Sequence, residues 1–303
     1  MADTDMKQHP GVAAMTGSGW RARRARKRFF SKLFAHLVLI AGAVIFTFPL
    51  VWLVSTSLKP DTQIFKVPPE LIPRPIMWEN YVDMWTYFPF LQFLKNTLVI
   101  VVLSMAGVLI SAPLVAYAFA KLKWPGRDFL FFILLGTMML PGQVTMIPLY
   151  ILFTNWGWVD TFLPLWVPAW FGGGAFNIFL IRQFLMTIPH EMEESALLDG
   201  ANHLTIYTRI MLPLIQPVLT TVAIFQFMGA WNDFMGPLIY INDQTKYTLS
   251  LGLRLFQQQT SASTTEFGMM MAATTVMVIP VIVFFFLGQR RFIEGVVLTG
   301  MKA

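Results

Sequence analysis

Long apolar blocks alternate with short polar stretches along this chain of 303 residues. Six blocks stand out, at residues 33–58, 96–120, 129–153, 161–181, 214–241 and 267–288. Each has about the ~20 residues that a helix needs to cross a hydrocarbon core. Backbone N–H and C=O groups find no water there, so each block is predicted to be a helix. Barrel strands would instead alternate apolar and polar positions over short runs. The expected fold is all-α, a polytopic membrane protein with six transmembrane helices. Several blocks carry punctuation. Pro141-Gly142 and Pro148 are expected to break the third near its outer end, Gly172-Gly173-Gly174 interrupt the fourth, and Asn232-Asp233 lie towards the end of the fifth.

Composition agrees with the pattern. Hydrophobic residues make up 56% and charged residues 13%, with a mean hydropathy of +0.60. A soluble domain carries about a quarter charged residues. The net charge of +6 is unevenly placed: sixteen of the 22 Lys and Arg fall in 1–32, 121–128, 182–213 and 289–303. The alternate segments 59–95, 154–160 and 242–266 hold six. This asymmetry is expected to put both termini in the cytoplasm, with lipid rather than nucleic acid as the partner of the basic residues. The 59–95 segment, rich in Pro, Trp and Tyr, reads as an outer loop lying along the headgroups.

Residues 1–32 form a basic arm, including Arg21, Arg23, Arg24, Arg26, Lys27 and Arg28. The block that follows is longer than a signal-peptide core and no small-residue cleavage site follows it, so it is read as a retained first span. No linker divides residues 33–303, which read as one membrane domain. The chain has no cysteine, which excludes disulfides and thiolate metal sites.

The loop at 186–213, between the fourth and fifth blocks, is the most informative segment. Thr187 is a candidate cap, Pro189 suits a first turn, and Glu191, Glu193 and Glu194 favour a helix N-terminus. Ala196, Leu197 and Leu198 supply a small apolar side, and Gly200 permits a left-handed C-cap. A second short helix, about 201–211, is expected to be stopped by Pro213. The product is a compact helix–turn–helix knob on the cytoplasmic face.

The run Glu194-Ser195-Ala196, then Gly200, Ile210 and Leu212-Pro213, resembles the Glu-Ala-Ala loop of ATP-binding-cassette importer permeases. Serine replaces the middle alanine, a small-for-small change. Ala116-Tyr117-Ala118-Phe119-Ala120-Lys121, Pro141-Gly142 with Ile147-Pro148-Leu149-Tyr150, Trp231-Asn232-Asp233-Phe234 and the tail Gln289–Gly295 are similar to the carbohydrate-uptake permeases, and most of all to the six-span permease of maltose-type importers. The likeness covers nearly all of 33–303. It implies a type I importer permease fold in the bacterial inner membrane and, in that loop, a helix docked on a cytoplasmic ATPase. The implied coupling residues are Glu191, Glu194, Ser195, Ala196, Asp199, Gly200, Ile210, Leu212 and Pro213. The implied partners are a second permease, two ATP-binding-cassette ATPase subunits and a solute-binding protein. ATP and Mg would be bound by the ATPases and no cofactor by this chain. The implied cargo is a sugar or oligosaccharide, with a polyol or glycerol-phosphate as the alternative.

Other candidate chemistry is thin. Asp233 is the one acid well inside an apolar block, and with Trp231 and Asn232 it suits either a helix lock or a solute contact. An ion-coupled transporter would need more intramembrane acids. Trp166, Trp170, Phe171 and Trp231 could stack on sugar faces or sit at the interface. His9, His36, His190 and His203 lack metal-ligand spacing, and there is no P-loop, serine elbow or H-E-x-x-H pattern, so an enzyme is not expected.

Overall fold

A computed structural model describes residues 17–87, 89–260 and 267–300. The first half of the basic arm, the end of the 242–266 loop and the tail side chains beyond residue 289 lie outside the described residues. Every regular element described is helical. The chain divides into two compact units, Met1–Ser55 and Thr56–Ala303. The described residues of the first lie in one helix, α1 (Gly17–Ser57), which runs unbroken from the basic arm into the first apolar block. The boundary drawn at residue 32 is therefore not a break in the backbone.

In the second unit, short helices α2 (Asp61–Ile64) and α3 (Glu79–Tyr87) precede α4 (Phe90–Ala120). At 31 residues α4 is about 46 Å long, more than a bilayer core needs. It is the central post, packed by α8 (Ala175–Leu185), α12 (Gln216–Trp231), α14 (Leu249–Thr260) and the 3₁₀ turn Val167–Trp170. Small residues make this possible. Gly107 faces the Trp170 ring, where a Cβ would lie 2.5 Å from the indole. Ser111 donates to the carbonyls of Gly107 (2.7 Å) and Ala169 (3.1 Å).

The third block is two helices, α5 (Arg127–Thr137) and α6 (Gly142–Asn155), bent by 98°. The break falls at Pro141, in the middle of the block and not near its outer end, because the proline's lost N–H and fixed φ act there, whereas Pro148 sits inside α6 without ending it. The fourth block is also discontinuous. After α7 (Leu163–Trp166) and the 3₁₀ turn, Gly172, Gly173 and Gly174 have φ of +89°, +66° and +88°, which no α-helix accommodates. Gly173 lies against α4, where a Cβ would come within 2.8 Å of Ala112.

The fifth block ends early. Helix α12 stops at Trp231, so Asn232 and Asp233 lie between it and α13 (Met235–Tyr240), not inside a helix. Among the described residues four helical stretches, the interrupted 163–185 segment included, are long and apolar enough to cross a membrane, or up to six if each of two bent pairs counts as one span. The last span is α15 (Phe267–Gly300), packed on α3, α12 and α14.

Candidate functional site

The 186–213 loop folds as a knob of two short helices, α9 (Glu191–Leu198) and α10 (His203–Ile206). Helix α9 ends in a Schellman motif: the Gly200 N–H donates to Leu197 O and the Ala201 N–H to Ala196 O, both 3.0 Å, with Gly200 at φ +82°. The left-handed glycine expected from sequence is there. The start differs from expectation. The Thr187 hydroxyl donates to Phe184 O and caps nothing; His190 is the N-cap residue, and its carbonyl accepts from Glu193 and Glu194. Asn202, which the sequence reading passed over, caps α10 by accepting from the Thr205 N–H at 2.8 Å. A π-helical turn, Tyr207–Met211, leads to α11 (Leu212–Leu214). Pro213 lies inside α11, and the bend of 74° into α12 comes at Ile215, two residues later. Proline is tolerated in a first helical turn, so it does not stop this segment.

The two faces of α9 are unlike. Glu193 and Ala196, three apart, are buried, while Glu191, Glu194, Ser195, Asp199 and Gly200 are exposed. Ser195 back-bonds to Glu191 O at 2.7 Å, which commits its proton within α9 and leaves its exposed oxygen as an acceptor. Ala196 thus serves this chain's own core, as do the half-buried Ile210 and Leu212. The outward apolar surface comes instead from Leu198 (89% exposed), Leu204 (65%), Met192 and Leu197 (both 42%). Only two of these, Leu197 and Leu198, are foreshadowed by the apolar run in the sequence.

The knob is fastened to the end of α4. The Tyr117 hydroxyl donates to the buried Glu193 carboxylate at 3.0 Å. The Lys121 ammonium donates to Ile188 O at 2.8 Å. Burial pushes the Lys121 amine below its ordinary range, while the charges of Glu193 and Glu191 pull it back up. The Tyr117 ring also packs on Tyr207, with centroids 5.3 Å apart. Beside this strap runs a groove of about 490 Å³ lined by Lys121, Lys123, Trp124, His190, Glu194 and His203. Among the described residues no three His, Asp or Glu lie together as a metal site needs.

The second candidate group sits apart from the first, since α12 puts about 24 Å between the loop and Trp231. Trp231 is 1% exposed and stacks on Phe227, which stacks in turn on Phe284 of α15 at 4.1 Å. It is part of the core between α12 and α15. Asn232 donates to Met228 O of its own helix rather than to a neighbour. Asp233 accepts from the Gly236 N–H at 3.0 Å, opening α13, and its carbonyl accepts from Ser250. Near this end of the molecule Asp160, at φ +63°, accepts from the N–H groups of Asn242 and Asp243 and pairs with Lys246 at 3.0 Å. The Asp243 amide and the Lys246 ammonium hold the Asp160 carboxyl below its usual range.

Residues 109–297 match the family described as binding-protein-dependent transport system inner membrane component. The chain is 33% identical over 272 residues to the sn-glycerol-3-phosphate transport system permease protein UgpE of Yersinia enterocolitica, covering 88% of this chain and 95% of that one. It is 30% identical over 236 residues to the diacetylchitobiose uptake system permease protein NgcG of Streptomyces coelicolor, covering 78% of each. A chain in the crystal structure of a bacterial ABC transporter involved in the import of the acidic polysaccharide alginate superposes with a TM-score of 0.75 at 25% identity, covering 88% of this chain and 98% of that one.

Proposed function

Because this chain belongs to the family of binding-protein-dependent transport system inner membrane components, we propose that it carries a carbohydrate, delivered by a solute-binding protein, into the cytoplasm. In this reading it pairs with a second permease and two ATPase subunits, which bind ATP and Mg. Both termini and the 186–213 knob face the cytoplasm, following the distribution of Lys and Arg. The 242–260 segment faces outward.

The observation that carries the docking role is the division of α9. Its inner face is locked to α4, while Glu191, Glu194, Asp199 and the exposed side chains of Met192, Leu197 and Leu198 are presented together. An apolar centre rimmed by charge is the anatomy of a protein interface. For the cargo, the named uptake system of one relative and the transporter superposed on this chain handle saccharides. A phosphate would call for Lys or Arg facing the path. Among the described residues the spans hold basic side chains only near their ends, such as Lys95 and Arg182.

The test is uptake by the four-subunit complex in proteoliposomes, with ATP sealed inside and the binding protein outside. Labelled neutral chito-oligosaccharide should accumulate and glycerol 3-phosphate should not. Accumulation of glycerol 3-phosphate alone would reverse the cargo assignment.

A further inference from the structure

The knob has three routes to the rest of the molecule. Two follow the chain, from α8 and into α12. Both pass through irregular backbone: residues 186–190 on one side, and the π turn, three-residue α11 and 74° bend on the other. Such joints bend before they push. The third route is not covalent. It runs from buried Glu193 of α9 to Tyr117, directly onto α4, while Lys121 of the same helix end pins the 186–190 joint through Ile188 O. Ala116 and Tyr117 also pack in one core with Ala196, Ile206 and Tyr207, a core that Ile181 and Leu185 of α8 and Val218 of α12 share, so it is the hydrogen bonds that single out α4. Hydrogen bonds shielded from water are costly to break, so this contact resists sliding.

The far end of α4 repeats the device. The Asn96 side-chain amide, 5% exposed, donates to Thr245 O (2.9 Å) and Tyr247 O (3.0 Å). The Leu249 N–H donates to the Thr97 hydroxyl at 2.9 Å, and that hydroxyl donates back to Phe93 O. Gln92 adds a bond to Thr245 O at 3.2 Å. Between Asn96 and Tyr117 the helix runs unbroken through Pro113 for about 32 Å, the thickness of a bilayer core. The outer clamp also forms one wall of a cavity of about 690 Å³, with Phe93, Tyr247 and Phe256 on its lining.

We propose that α4 is a transmission rod with a polar clamp at each end: Tyr117 and Lys121 grip the coupling knob, and Asn96 and Thr97 grip residues 245–249 beside the outer cavity. A displacement of the knob by the ATPases then reaches the outer mouth through α4, not along the chain. Tyr117 and Asn96 are positioning residues in this scheme. The proposal rests on the docking role given above and adds the path that the motion takes.

The experiment uses the reconstituted complex and reads solute molecules imported per ATP hydrolysed. Tyr117→Phe, which loses one buried hydrogen bond, and Asn96→Leu, which loses two, should each lower that ratio by roughly fivefold or more. ATPase subunits should still co-purify. Glu193→Gln, whose amide oxygen can accept from Tyr117, should keep the ratio. The double variant should be no worse than the poorer single one, because the clamps act in series. Lys121→Met gives the same reading should Tyr117→Phe fail to accumulate. In parallel, a spin label at Gln244 should lose its ATP-dependent change in Tyr117→Phe. Wild-type stoichiometry in the inner-clamp and outer-clamp variants would overturn the rod. Docking is tested separately by Glu194→Lys. Loss of ATPase subunits there, with normal stoichiometry in Tyr117→Phe, would leave docking standing and remove only the rod.

Discussion

Glu193 meets the hydroxyl of Tyr117, 76 positions earlier in the chain, at 3.0 Å in a buried contact. An acid in the run Glu191-Met192-Glu193-Glu194 looks like one of three solvated carboxylates; the fold makes it the one that is structural. Removing it strands the tyrosine hydroxyl, which costs about 1–3 kcal/mol for an unsatisfied buried polar group. Glu193→Ala is therefore expected to lower the melting temperature of the detergent-solubilised complex, and Glu193→Gln to lower it much less. Equal melting of the two variants would mean that the hydroxyl finds another partner. Tyr117→Phe in the Glu193→Ala background should recover part of the loss, since it removes the orphan itself.

Gly200 allows the two halves of the knob to meet. A Cβ built there touches nothing within 4 Å, so the penalty of a side chain is one of backbone alone. At φ +82° a β-branched residue is strained by about 1–2 kcal/mol, whereas asparagine visits this region readily. Gly200→Val is expected to leave membrane levels near normal and to weaken retention of the ATPase subunits. Gly200→Asn should retain them. Indistinguishable retention would show that the turn geometry does not matter for docking.

Much of this was legible in the sequence because it is local. Six apolar blocks, the break at Pro141 and the left-handed Gly200 each follow from a few adjacent residues. The misreadings share another cause. Thr187 could have capped α9, but it lies too far before Glu191 and bonds backwards to Phe184 O. Asn232 and Asp233 fall in an apolar block by average hydropathy, yet their side chains bond the adjacent backbone and end the helix there. Glu193, Asn96 and Thr97 find partners far away in sequence, and no periodicity marks them. One signal was available for Glu193: it shares the i, i+3 face of Ala196, and the helix has only one inward side.

The orientation can be read with an impermeant thiol reagent, since the chain has no cysteine of its own. Leu198→Cys, on an 89% exposed position of the knob, should be protected in intact cells and label after permeabilisation. Gln244→Cys, exposed in the segment after α13, should label in intact cells. The opposite pattern would invert the topology and place the knob away from any cytoplasmic ATPase.

Asp160 ties the 154–160 loop to residues 242–246 through two backbone N–H groups and Lys246. Its carboxyl is held below the ordinary range, so the sign is that of a paired acid. The stabilisation is fully present above the unfolded carboxylate pKa of about 3.9 and is lost as pH falls through the lower folded value. Cross-linking between cysteines at Thr161 and Asn242 is thus expected to be unchanged from pH 7 down to about pH 5. Asp160→Asn should reduce the cross-linking at every pH, because the amide loses the Lys246 pairing while still tolerating the positive φ. Loss of cross-linking in the native protein already at pH 6 would show that the carboxyl is not held down.

Asp233 decides between ATP-driven and ion-driven transport. An acid that couples transport to an ion is neutralised in each cycle by a proton or a bound cation, and its amide analogue then blocks transport. The position here asks for something else. One carboxylate oxygen accepts from the Gly236 N–H at 3.0 Å and so opens α13, and the neighbouring carbonyl holds Ser250. An asparagine offers the same acceptor in the same place, so Asp233→Asn is expected to keep most uptake. Asp233→Leu, which leaves the Gly236 N–H unpartnered, should lose stability on the scale of about 1 kcal/mol, as for other helix caps. Uptake by both the native and the Asn variant should persist when an uncoupler is added and internal ATP is held constant. If Asp233→Asn abolishes uptake and the native protein stops with the uncoupler, the carboxyl is an ion site and the ATP-driven reading fails.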